Sequence, residues 1–320
     1  MENLMFSLNA VLPLLLLIVA GYAVSRSNLV SQRFFAEANG FVFRIAMPFM
    51  LCRNIYSTDF SLAFDPLLVA FSLGCVVLVA VVSSLITPLF VRSRQSSGAI
   101  IQALFRGNFA FFGLPLALNL FGQQGAAPTS MLISFTVPVF AILAVIVLTL
   151  FSPDTVKKPG SLTAGLLPIL KDIVRNPLIL GSLVGLVINV LPVTVPKFLD
   201  KAIGDIGAIA TPLALIVLGS QFDFSQLQGR LKTANLVAIC RLVLVPLSIV
   251  SLAAILGFRG PRLGAVYILF AAPTSVTSYV MARDMNSDHV LAGQLVILTT
   301  LLCGLTLFIG IFLLRTLGLI

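Results

Sequence analysis

Stretches of about twenty apolar residues follow one another along almost the whole 320-residue chain, and a water-soluble core could not bury them all. Ten can be marked, at roughly 5–25, 34–56, 66–90, 98–121, 127–151, 173–191, 198–220, 233–256, 262–283 and 288–315. Only 10% of the residues are charged, against about 25% in soluble domains. The short alternating strands of a membrane barrel are missing. The sequence therefore predicts an all-α integral membrane protein with ten transmembrane helices. The first run, "MENLMFSLNAVLPLLLLIVAGYAVSR", carries Glu2 instead of a basic leader, so it reads as a retained span and not as a signal peptide.

The net charge of +9 comes from basic residues scattered between the apolar runs. They form no stripe with interleaved aromatics, which excludes nucleic acid as the expected partner. With the N-terminus outside, eleven Lys and Arg fall on the inner side, among them Arg26, Arg33, Arg92 and Arg94, and six on the outer, among them Arg53, Lys197 and Lys201. That bias predicts both termini outside a bacterial inner membrane. Cys52, Cys75, Cys240 and Cys303 have no paired spacing, so neither disulfides nor a zinc site are expected, and no motif asks for another metal or a cofactor.

The two halves of the chain resemble each other. Pro13 and Gly21 recur as Pro177 and Gly185, and "IAMPFML" (45–51) recurs as "IATPLAL" (209–215), all 164 residues apart. Pro88 matches Pro246, and Pro115 matches Pro273, at a spacing of 158, so a gap between the second and third spans is needed. Thr136 and Gln294 match at the same spacing. The reading is a first repeat over 1–151, a cytoplasmic linker over 152–172, and a second repeat over 173–320. Five spans per repeat is an odd number, so the second copy enters the membrane inverted. Inverted repeats with interrupted helices are a mark of secondary transporters.

The fourth span contains "NFAFFGLPLALNLFG" (108–122), with Asn108, Gly113, Pro115 and Asn119 inside an apolar stretch. A Gly costs a helix about 1 kcal/mol and a Pro about 3. Gly113 and Pro115 together are expected to unwind this span for a few residues. The ninth span offers "FAAPTSVTSYV" (270–280), where Pro273 is followed by Thr274, Ser275, Thr277 and Ser278. Freed backbone groups survive at membrane depth only inside protein or beside water. Two such breaks can cross and share a wet cavity, with half-helix N-termini that suit an anion. Pro13, Pro48, Pro138, Pro177 and Pro212 read as kinks or helix ends.

Arg44, Arg106 and Arg241 lie inside spans, and Arg106 is eight residues past Gly98, roughly 12 Å along a helix. An intramembrane charge is a functional candidate by default. Three cations without clear acidic partners point to anions, with snorkelling to the headgroups as the alternative. Asn108 and Asn119 can bond a carboxylate or the freed backbone. His289, close in sequence to Asp284 and Asp288, reads as part of a solvated loop face, with proton handling as the alternative.

"GNFAFFGLPLALNLFG" resembles the Asn-x4-Gly-x-Pro-Leu motif in the fourth span of the auxin efflux carrier family. "AAPTSVTSYVMARDMNSDHVLAGQLVILTTLLCGLT" (271–306), "RNPLILGSLVGLVINVLP" (175–192) and "ATPLALIVLGSQF" (210–222) are similar to that family's later spans. The resemblance covers nearly the whole chain. It implies two inverted five-helix repeats with broken helices 4 and 9 crossing. It also implies a scaffold of spans 1, 2, 6 and 7, often dimeric, and a mobile part of spans 3–5 and 8–10 that moves like an elevator. The short 152–172 segment makes the chain look like a bacterial member, of the kind described as malate or malonate permeases.

The expected function is secondary transport of small organic anions, with Asn108, Gly113, Pro115, Asn119, Pro273, Thr274, Ser275, Thr277, Arg106, Arg241 and Arg44 as candidate substrate-binding residues. A sodium- or proton-coupled relative of bile-acid transporters and a membrane sensor on the same fold stand as alternatives. No enzyme is expected, because no GxSxG, HExxH or paired carboxylates occur at helical spacing. Lipid and a second copy of the chain are the expected partners.

Overall fold

The computed structural model describes residues 2–27, 29–57, 65–152, 177–191, 194–221 and 231–320. Every regular element among them is helical. In chain order these are α1 (Glu2–Arg26), α2 (Gln32–Tyr56), α3 (Pro66–Phe90), α4 (Arg94–Phe105), α5 (Phe109–Phe121), α6 (Gln123–Leu150), α7 (Pro177–Val190), α8 (Lys197–Ser220), α9 (Lys232–Ile255), α10 (Gly260–Ala271), α11 (Thr277–Asp284) and α12 (His289–Thr316). Seven of them, α1, α2, α3, α6, α8, α9 and α12, are long and apolar enough to cross a membrane. The expected linker lies outside the described residues except for Ser152, as do the first four residues of the sixth expected span.

Local sequence sets the helix ends. Asp65 accepts from the Leu68 N–H at 3.0 Å and precedes Pro66, a residue pre-set for the first helical position. Ser93 caps α4 through the Ser96 N–H, and Asp288 caps α12 through the Leu291 N–H. Two helices contain a π-helical turn, Val42–Ala46 in α2 and Cys240–Leu244 in α9. In each case a proline, Pro48 or Pro246, is the second residue after the turn. A proline offers no N–H to the carbonyl four residues back and clashes with it. One wider turn absorbs that conflict without ending the helix.

Large apolar side chains point both inward and outward. Leu67, Leu85, Leu89 and Phe90 of α3 are more than 60% exposed, an arrangement that suits hydrocarbon and not water. Glycines let helices approach closely. Gly21 of α1 rests on the Ile216 carbonyl of α8, and Gly219 of α8 rests on the Ile18 carbonyl of α1. Gly181 and Gly185 of α7 rest on the backbone of Pro48 and Cys52 in α2. Small residues at such contacts are the usual device of helix packing in lipid. The result is one group, α1, α2, α7 and α8, in which each helix packs on another of the group. The four cysteines are unpaired.

Candidate functional site

Two helical runs are interrupted, and the interruptions meet. Between α4 and α5 the residues Arg106, Gly107 and Asn108 leave the helix. Between α10 and α11 the residues 272–276 do the same around Pro273. The two segments pair antiparallel, Gly107 opposite Thr274. The Asn108 N–H donates to the Pro273 carbonyl at 2.7 Å, and the Ser275 N–H donates to the Arg106 carbonyl at 3.1 Å. The Thr274 hydroxyl donates to the Ala103 carbonyl at 3.2 Å, and its N–H donates to Thr299 Oγ1 at 3.0 Å. Each segment thus supplies the hydrogen bonds that the other lost on leaving its helix.

The second break lies where Pro273 placed it, but the first does not lie at Gly113 and Pro115. Both are buried inside the continuous helix α5. Pro115 removes one helical hydrogen bond, a loss that tertiary packing of α5 outweighs. A full break needs a partner for several freed groups, and only the Arg106–Gly107–Asn108 stretch faces one. The matching of prolines at a spacing of 158 fails with it. Pro88 stands near the end of α3, whereas Pro246 follows the π turn in mid-α9.

Arg241 is the largest fully buried side chain of the described residues, with no exposed surface. Its Nη1 donates to the Leu104 carbonyl at the end of α4 and its Nη2 to the Ala272 carbonyl just past α10, both at 2.9 Å. Its Nε makes no hydrogen bond. Gly107 lies against the guanidinium, and a Cβ there would clash with Nη2. Arg241 is thus a staple across the crossing, with no surface open to a substrate in this structure. Arg106 is partly buried. Its guanidinium reaches the Met281 sulfur and, with the Gln102 amide turned to satisfy both neighbours, Gln102 Oε1 at 3.2 Å. Asn108 Nδ2 and Ser278 Oγ, 3% and 1% exposed as residues, have no hydrogen-bond partner beside this crossing.

A cavity of about 740 Å³ opens next to the crossing. Ser25 and Arg26 of α1, Asn39 and Phe43 of α2, and Ser220 of α8 line one wall. Phe111 of α5, Thr277 and Tyr279 of α11, and Gly293 and Ile297 of α12 line the other. Among the described residues of this lining Arg26 is the charged one. The Thr277 hydroxyl shares a hydrogen bond of 2.8 Å with Ser275 Oγ. A smaller cavity, about 350 Å³, lies against Arg53, Asn54, Pro115, Asn119 and Gln123. There the Asn119 amide donates to the Ala10 carbonyl of α1 at 3.0 Å, tying α5 to α1.

Of the residues singled out in the sequence, Arg106, Asn108, Pro273, Thr274, Ser275 and Arg241 come together at the crossing, and Thr277 faces the large cavity. Pro115 and Asn119 border the small cavity. Gly113 packs under the Phe109 ring within α5. Arg44 stands exposed on its π turn, next in sequence to Phe43 of the cavity wall. Thr136 turns its hydroxyl back to the Leu132 carbonyl, and His289 is exposed beside Tyr279. Sequence reading missed Gly107, Gln102 and Thr299. The signal for them was a polar triplet, Arg106-Gly107-Asn108, set between two apolar stretches, with Gln102 one turn before it.

Residues 6–311 match the model of the family described as membrane transport protein. The chain belongs to this family, that of the auxin efflux carriers. It is 24% identical over 305 residues to an "Uncharacterized transporter" of Methanothermobacter thermautotrophicus, covering 93% of this chain and 95% of that one. It is 23% identical over 309 residues to a "Putative malonate transporter" of Rhizobium meliloti, covering 96% and 95%. Against "Auxin efflux carrier component 6" of Arabidopsis thaliana it is 30% identical over 132 residues, 38% of this chain and 23% of the carrier. This family member is a multi-pass membrane transporter and not an enzyme.

Proposed function

We propose that the chain carries small organic anions, carboxylates first among them, across a bacterial inner membrane by an elevator movement. The observation that carries this reading is the large cavity at the crossing, walled by α1, α2 and α8 on one side and by α5, α11 and α12 on the other. A site between two helix groups can be carried from one membrane face to the other when one group slides on the other. Among the described residues its lining sets one cation, Arg26, among hydroxyls and amides, a combination that suits an anion. The N-terminus of α5 starts at the crossing and adds positive partial charge.

The ten-span inverted arrangement follows if α4 with α5, and α10 with α11, each count as one broken span. Support for the repeat comes from Gly21 on Ile216 and Gly185 on Cys52, since a 164-residue shift takes Gly21 to Gly185 and Cys52 to Ile216 and so exchanges the two contacts. The helix ends agree: α4 and α10 end 166 residues apart, and α6 and α12 begin 166 apart. The scaffold would be α1, α2, α7 and α8, with the remainder mobile. Leu180, Leu183, Val184 and Val187 of α7 form an exposed apolar stripe for lipid or a second copy.

Arg26 and Thr277 in the cavity wall are the groups that would meet the carboxylate, with Ser275, bonded to Thr277, and the unpartnered Asn108 and Ser278 buried beside the crossing. The large cavity lies against Arg26, which the basic bias puts on the cytoplasmic side, and on this reading the cavity opens inward. Purified protein in liposomes should take up labelled malonate when an inside-positive potential is imposed. One charge across 100 mV corresponds to about 2.3 kcal/mol. No uptake of mono- or dicarboxylates under either polarity would overturn the proposal.

A further inference from the structure

We propose that the Arg241 guanidinium is a built-in counter-cation for the crossed helix ends, filling the place where a cation-driven carrier would bind Na+. The inference rests on the transporter reading. The carbonyl ends of two half-helices, α4 and α10, converge at the crossing. Each helix C-terminus behaves as about half a negative charge. Two together match one monovalent cation, and secondary transporters use freed carbonyls and half-helix C-termini of this kind to hold a coupling Na+. Here the matching charge is covalent. Arg241 donates one Nη to Leu104 and the other to Ala272, one bond for each helix end.

Among the described residues no carboxylate forms an ion pair with it; the pairs they do form include Arg33–Glu37, Arg53–Asp200, Lys201–Asp205 and Arg262–Asp65. An unpaired buried cation is costly, so the helix ends must supply the compensation. Neighbouring carbonyls are taken as well. The Ala103 carbonyl accepts from Thr274, and the Gln102 carbonyl from the Arg106 N–H. The π turn at Cys240–Leu244 contains Arg241, and Gly107 leaves the room that the guanidinium fills.

The test compares the thermal midpoint of the purified full chain in NaCl, KCl and N-methylglucamine chloride at equal ionic strength, for the wild type, Arg241→Ala and Arg241→Lys. The wild type should show one midpoint in all three salts, and malonate uptake should not change when Na+ is withdrawn. Arg241→Ala should melt lower in N-methylglucamine and recover on the order of 2–4 °C in Na+, because the vacated carbonyls then accept a free cation. A merely structural arginine would give no such recovery. Arg241→Lys keeps the charge and should stay indifferent to the salt. If Arg241→Ala does not accumulate, Arg241→Gln, which also removes the charge, takes its place in the same three salts.

A wild-type midpoint or uptake that rises with Na+ overturns the inference, as does an Arg241→Ala protein whose midpoint, lowered or not, shows no response to Na+. Absence of malonate uptake in every salt counts against the transport reading and leaves the melting comparison intact.

Discussion

Two arginines in π turns show how little a residue's sequence setting says about its fate. Arg44 and Arg241 both precede a proline by a few residues inside an apolar helix. Arg44 ends exposed, while Arg241 is fully buried between two helix ends. The difference comes from what stands opposite, which only tertiary structure decides. Arg44→Gln should therefore change stability by no more than about 0.5 kcal/mol, as exposed substitutions usually do; thermal melting of the two proteins checks this. Gly107→Ala is the opposite case. Its Cβ would collide with Arg241 Nη2 and press on the Leu269 carbonyl. Neither can retreat without breaking a bond at the crossing, so a loss of about 1–3 kcal/mol is expected from overpacking. Gly40 has open space around it and serves as the control. Gly40→Ala should be neutral or stabilising, by about 0.4–1 kcal/mol.

Prolines act on elements, and their effects here differ by partner and not by kind. Pro115 sits in a continuous α5, so Pro115→Ala restores one helical bond and should leave transport within about twofold of the wild type at matched protein level. Pro273 holds the second interruption open and lends its carbonyl to Asn108. Pro273→Ala makes a helical path available to residues 272–276 and should lower malonate uptake by about tenfold or more, equivalent to ~1.4 kcal/mol. Equal uptake by the two variants would refute the distinction.

The same contrast explains what was legible beforehand. Spans were readable because their length and apolarity follow from the thickness of the bilayer. The ninth-span break was readable because Pro273 is followed by hydroxyl residues. The fourth-span break was misplaced because proline is a loud signal, whereas Arg106-Gly107-Asn108 breaks its helix only where Thr274 arrives to pair with it. Arg26, Asn39 and Ser220 were passed over because a cavity wall is assembled from helices far apart in sequence.

At the scale of the molecule, the two cavities are unequal, and the inequality describes a state. The large one reaches the crossing, while on the other side Asn119 is tied to the Ala10 carbonyl and the space is about half the size. Under the proposed elevator reading, reagents reach the crossing from the cytoplasm alone in this state. Thr277 is exposed within the large cavity, and three of the four native cysteines are buried, with Cys240 half-buried. Thr277→Cys, made in a chain with Cys240→Ala, should therefore react with a membrane-impermeant thiol reagent in inside-out vesicles and not in right-side-out ones. Malonate should slow that reaction if it occupies the same space. Asn119→Ala removes the tie to α1 and should shift the population toward the opposite state. Labelling of Thr277→Cys from the outside should then rise while labelling from the inside falls. Equal labelling from both faces in the unmodified background would mean a continuous pore, which an alternating carrier excludes.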